Sequence, residues 1–168
     1  MDPYVVLFLS RHNTARSIMA EAILTVVGEG RFTAYSAGVE PATEIDRHTL
    51  ALIGQTHLPA DRFRPKHYSE FTRPDAPDLD FVFTLSDTAA GEVDPEWPGR
   101  PVTAHWSCPD PLRVEGTEKE KSLAFGQVYG ELDRRLRIFA NLPFQALDRL
   151  SLHHRVHKIG EGMKARPF

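Results

Sequence analysis

Between an apolar run and an apolar pattern at helical spacing lies an octet of small, polar and cationic residues, Ser10-Arg11-His12-Asn13-Thr14-Ala15-Arg16-Ser17. A chain that passes here from a buried strand into a helix gathers the first helical N–H groups around one point, because they have no intrahelical acceptor. The helix dipole adds partial positive charge there, so the turn suits an anion. Asn13, Thr14 and Ala15 are small enough for the backbone to curl around a ligand. Arg16 supplies a planar guanidinium able to grip two oxygens of a tetrahedral anion at once. Ser17 offers a hydroxyl at the helix start, where it also fits an N-cap. Asn13 fits either a brace for the loop or an ordinary turn residue. Arg11 and His12 read as exposed residues at the crown. The octet as a whole is the candidate anion-binding set.

Few other residues have chemistry to offer. Asp110 lies between Pro109 and Pro111, which stiffen its backbone. Cys108 is the single cysteine, so no internal disulfide forms, and any thiol chemistry rests on it or on a partner. Its type also fits a small, buried apolar position. His153, His154 and His157 fall in a basic stretch with Arg155, Lys158, Lys164 and Arg166. Their spacing is not specific to a metal site, and a short helix with a frayed end is expected instead.

The elements that must position these residues alternate. Tyr4–Leu9 is a continuous apolar run, as in a strand buried on both faces. Ile18, Met19, Ala22, Ile23 and Val26 repeat at helical spacing up to Gly28 and Gly30. Phe32–Ala37 reads as a second strand, Arg47–Gln55 as a helix, Asp80–Leu85 as a third strand and Pro101–Trp106 as a fourth. A long helix is expected over Thr117–Asn141, with Phe125, Val128, Leu132, Leu136 and Phe139 as its apolar stripe. Strands alternating with helices imply an α/β fold, a four-stranded parallel sheet between two helical layers. The 168 residues suit one domain, read as 1–145 followed by a helix and basic tail over 146–168. A net charge of -3 gives no pull toward nucleic acid or an anionic membrane. No apolar run reaches membrane-spanning length, and the N-terminus lacks a signal-peptide pattern, so a cytoplasmic location is expected.

The stretch from Val6 to Ala22, with Ser10, Arg16 and Ser17 in register, resembles the signature of the low-molecular-weight protein tyrosine phosphatases and, more closely, of the arsenate reductases that share their fold. That signature is a nucleophilic cysteine, five residues, an arginine and a serine. The resemblance continues in the same order through Ser36-Ala37-Gly38, through Phe81-Val82-Phe83-Thr84 with Asp87, and through His105-Trp106 with Pro109-Asp110-Pro111. It covers roughly residues 4 to 140. It implies Arg16 as the anion-gripping residue and Asp110 as the acid that protonates a leaving oxygen. Lys66, Tyr68 and Trp97 are candidates to line the cleft. No cofactor is implied beyond a thiol reductant for a reductase.

Ser10 stands where the family's nucleophilic cysteine stands. A serine hydroxyl is far less acidic than such a thiol and needs an adjacent base. The thioredoxin-linked reductases use two further cysteines after the third strand, and the matching positions here hold Ser86 and Asp94. Three readings follow. One is an arsenate reductase or small phosphatase whose nucleophile has been replaced, in nature or by design, leaving it weak or inactive. Another is a regulatory pseudoenzyme binding phosphate or phosphotyrosine. The third is a serine-based phosphatase. All bind phosphate, arsenate or sulfate, and the second admits a phosphorylated protein partner.

Overall fold

The computed structural model describes residues 2–93 and 95–161. The apolar run folds as β1 (Tyr4–Ser10), and the octet carries it into α1 (Arg16–Val27). There follow β2 (Phe32–Gly38), α2 (Arg47–Gly54), β3 (Phe81–Thr84), α3 (Asp87–Glu92), β4 (Val102–His105), α4 (Glu118–Ala140) and α5 (Arg149–Glu161), with short 3-10 turns between them. The four strands form one parallel sheet in the order β2-β1-β3-β4. This is the three-layer α/β/α arrangement expected from the alternation of strands and helices.

Alternation along β1 divides the core. Val6 and Phe8 join Met19 and Ile23 of α1 and Phe125, Val128, Leu132, Leu136 and Phe139 of α4 on one face. Leu7 and Leu9 turn to the other face and pack with Val82, Phe71 and with Ala89 and Val93 from the α3 region. Side chains of successive strand residues point to opposite faces, so both layers draw on the same seven residues of β1. Phe83 stacks on Trp106 at 4.1 Å between centroids and meets Phe139 edge-on at 5.1 Å. Such pairs add about 0.5–1.5 kcal/mol each beyond the area they bury. Trp106 also donates from Nε1 to the Val156 carbonyl at 2.9 Å, which draws α5 into the main core.

Element ends depart from the sequence expectation by one residue at several places. Thr117 and Asn141 lie just outside α4 as its caps, and Thr117 closes a capping box with Glu120. Asp80 and Leu85 flank β3, and Pro101 and Trp106 flank β4. The α3 helix was not expected, because Asp87–Glu92 is too short to display an apolar stripe. The chain turns from β1 to β2 on one side and to β3 on the other. The octet therefore leaves β1 at the carboxyl edge where strand order reverses, which is where open α/β sheets place their ligands.

Candidate anion-binding site

The octet is tied down through its carbonyls. Ser10 and Arg11 accept from Val39 N–H at 3.3 and 3.0 Å, and Arg11 accepts again from Glu40 at 2.8 Å. His12 accepts from Ala42 at 2.9 Å, and the Thr14 carbonyl accepts from the Thr49 hydroxyl at 2.9 Å. In each of these bonds the loop gives a carbonyl and none of its N–H groups. The segment after β2 and α2 thus hold the loop by its carbonyls, and these bonds spend none of its amide donors. Thr14 adds two side-chain bonds, donating to the Glu44 carbonyl at 2.7 Å and accepting from Asp46 N–H at 2.8 Å.

Asn13 is the brace. Its φ of 49° is left-handed, a conformation that Asn tolerates better than most residues. Its Nδ2 donates to Ser17 Oγ at 2.8 Å, and its Oδ1 accepts from Lys66 N–H at 2.9 Å. Ser17 Oγ in turn lies 2.6 Å from Ser10 Oγ. Ser17 is therefore not an N-cap. The helix begins at Arg16 with Ala15 in the cap position, which makes no side-chain cap bond, and the Ser17 hydroxyl is spent on the loop interior. Gly38 closes the opposite side. A Cβ there would lie 2.9 Å from Asn13 Cβ and 3.0 Å from both Arg11 O and Asn13 N, so only glycine lets β2 end against the loop.

Arg16 is 8% exposed. Its Nη1 donates to the Cys108 carbonyl at 2.9 Å and reaches the Leu85 carbonyl at 3.5 Å, while Nη2 lies 3.5 Å from Asp110 Oδ2. The guanidinium thus joins α1 to the ends of β3 and to the loop after β4. Asp110 also accepts from Leu112 N–H at 3.0 Å, which fixes its orientation. From α4 the buried Arg135 donates to the Ser107 carbonyl at 2.9 Å, bracing the same loop from behind. Arg11, Arg16, Ser86, Asp87, Thr88, Ser107, Cys108, Pro109, Asp110 and Arg113 line a cleft of about 240 Å³.

Other candidates take different places. His12 turns away, with Nδ1 2.9 Å from the Glu40 carbonyl, and Arg11 pairs with Glu40 at 3.8 Å. Ser86 caps α3 by accepting from Ala89 N–H at 3.1 Å. Asp94 lies outside the described residues, as do Lys164 and Arg166. Cys108 is buried in the core, and burial, opposed by Arg16 and Arg135, pushes its thiol up to about 12. It stays protonated and is a poor nucleophile. Lys66, Tyr68 and Trp97 do not line the cleft: Lys66 sits behind the octet, and Tyr68 and Trp97 pack together on the second core. Among the described residues no cluster of His, Cys, Asp and Glu is arranged to hold a metal ion, and no helix is long and apolar enough to cross a membrane. Sequence reasoning missed Glu21, buried in α1, whose signal was an acid amid an apolar helical stripe.

Residues 5–151 match the model of a family described as low molecular weight phosphotyrosine protein phosphatase. An arsenate reductase of Bacillus licheniformis is 30% identical over 141 residues, covering 83% of this chain and 97% of that protein. One from Halalkalibacterium halodurans is 29% identical over 140 residues, with the same coverage. Among solved structures, arsenate reductase from Archaeoglobus fulgidus superposes with a TM-score of 0.64 at 26% identity, covering 82% of this chain and 99% of that one.

Proposed function

The chain belongs to the low molecular weight phosphotyrosine protein phosphatase family, and from that membership we propose that it binds arsenate or phosphate in the octet 10–17 and turns substrate over weakly or not at all as written. The observation that carries this reading is a loop whose carbonyls are bound outward while the Arg16 guanidinium is buried at its helical end. Desolvated donors aimed at one point stabilise a tetrahedral anion far better than they would in water. Asp110, whose Oδ2 lies 3.5 Å from Arg16 Nη2 beside the cleft, is the residue that would protonate a leaving oxygen.

Chemistry stops at Ser10. Its hydroxyl is paired with Ser17 Oγ, and Asn13 Nδ2 already fills an acceptor position on Ser17. Neither neighbour is a base. The ring of His12, the one histidine in the octet, is bound to the Glu40 carbonyl. A hydroxyl without a base is not activated for attack. A reductase relay is also unsupported, since Ser86 carries no thiol and Cys108 is held protonated. This argues against the serine-based phosphatase.

The cleft lining favours a free inorganic anion over phosphotyrosine. Among the described residues it is lined by arginines, acids, hydroxyls, a proline and Cys108, with no aromatic ring to stack on a phenyl group. Calorimetric titration with phosphate, arsenate and sulfate tests the reading. Binding to one site is expected, and Arg16→Ala should weaken it by about 1.5–3 kcal/mol, the worth of charge-assisted hydrogen bonds. A folded parent that binds none of the three anions, or equal binding by Arg16→Ala, contradicts it.

A further inference from the structure

Behind the octet, on the side away from the cleft, lies a polar unit that the proposed chemistry does not use. Glu21 projects from α1 and is 5% exposed; Ser36 of β2 is fully buried. Ser36 Oγ donates to Glu21 Oε1 at 2.5 Å, and the Ser36 carbonyl accepts from Lys66 Nζ at 3.0 Å. Ser36 therefore sits between an acid and a base that reach it from different elements. The backbone of Lys66 is committed as well. Its N–H donates to Asn13 Oδ1 at 2.9 Å, and its carbonyl accepts from Gly38 N–H at 2.8 Å. One residue thus ties the end of β2 to Asn13, and Asn13 passes the constraint through Ser17 to Ser10.

We propose that Glu21 and Lys66 act as a pair of positioning residues, an internal acid and its lysine counter-ion that clamp Ser36 and hold the octet in its anion-binding shape. The proposal rests on the reading of the octet as an oxyanion site. Buried ionic groups contribute little net stability, because desolvation offsets their attraction, but they fix geometry when every member is hydrogen-bonded. Burial raises the Glu21 carboxyl and lowers the Lys66 ammonium, and each charge works against the other's shift. The two are a unit because both meet at Ser36, one on its hydroxyl and the other on its carbonyl. Arg62 and Arg64 also face Glu21 in the field that opposes its burial, and Arg64 is itself engaged by Glu70 at 2.6 Å. Lys66 is the member that touches both Ser36 and Asn13.

The test is phosphate affinity by calorimetry in the full chain, comparing the parent with Lys66→Met, Glu21→Gln and the double variant. Lys66→Met should weaken phosphate binding by about tenfold, the effect expected when an outer-shell group that orients a binding site is lost. Glu21→Gln should weaken it in the same direction without lowering the melting temperature at neutral pH, and the double variant should be no worse than Lys66→Met alone. Ammonium chloride should restore binding to Lys66→Ala, whereas tetramethylammonium chloride at equal ionic strength should not. A merely structural role gives no such cation-specific rescue. Parent-like affinity in Lys66→Met, or losses that simply add and resist ammonium, overturns the proposal. If Lys66→Met does not fold, the near-isosteric Glu21→Gln decides by the same affinity criterion.

If the parent itself binds no phosphate, the functional reading fails, and the clamp is judged separately. The chain has two asparagines, Asn13 and Asn141, so their side-chain amides are separable by NMR. Slow exchange of the Asn13 amide protons in the parent, lost in Lys66→Met, supports the clamp; unchanged exchange overturns it.

Discussion

At the scale of single residues, the site is a sequence of committed hydrogen bonds from Lys66 through Asn13 and Ser17 to Ser10. Glu21 offers a pH prediction. Its carboxyl is raised chiefly by burial, against lowering by the Ser36 bond and by Lys66, Arg62 and Arg64. The folded state then holds the proton more tightly than the unfolded chain does. The stability from that proton is fully present below the ordinary carboxylate range and is lost as pH rises through the raised value. Glu21→Gln should therefore be more stable than the parent at neutral pH, with the difference shrinking as pH falls through the carboxylate range. Urea unfolding at several pH values checks the sign. Arg16 and Asn13 were legible as chemistry-bearing residues from local spacing and residue type, whereas Asp110 was legible only through the family resemblance, since an aspartate between two prolines also fits an ordinary turn. The Glu21–Ser36–Lys66 unit was not, since its members stand on three separate segments and meet only after the sheet forms. Ser17 was left with two roles, a loop hydroxyl and a cap, because a serine at a helix start fits both; its bonds to Ser10 and Asn13 belong to the loop.

At the scale of elements, the octet depends on how β1 and β2 end together. Their register pairs Ser10 with Gly38, and β2 stops against the loop because Gly38 has no side chain. Gly38→Ala would press a methyl on the Arg11 carbonyl and the Asn13 amide, both backbone and unable to swing aside. Overpacking of this kind costs about 1–3 kcal/mol. We expect lowered stability together with weaker phosphate binding, read by thermal melting and calorimetry on the same sample. The strands were legible from continuous apolar runs, and α4 from its stripe. The α3 helix was hidden, since six residues with Ala89 as their buried member carry no periodic signal.

At the scale of the whole molecule, the cleft's far wall is the loop after β4, and that loop is built on Trp106. The ring is fully buried between Phe83 and α5, and Gly160 lies against it with room for no side chain: a Cβ would meet Trp106 Cδ1 at 2.6 Å. Gly160→Ala should therefore lower stability by about 1–3 kcal/mol through displacement of α5 from the Trp106 ring, measurable by denaturant unfolding. The composition of residues 146–168 announced a basic tail and a helix. It left open whether Leu147, Leu150, Leu152 and Val156 pack on the domain or on another copy; Val156 enters the main core, with Leu152 and Ile159 packed against it.

These scales meet in the claim that the cradle is complete and one atom is missing. The most direct measurement is turnover of a small aryl phosphate by the parent and by Ser10→Cys, side by side. The account predicts weak or no turnover by the parent. It predicts measurable hydrolysis by Ser10→Cys, inhibited by inorganic phosphate, with the thiolate attacking phosphorus, Asp110 protonating the departing aryl oxygen, and water then releasing phosphate from the cysteine. Turnover by the parent equal to that of Ser10→Cys, or a folded Ser10→Cys that stays inert, would contradict it.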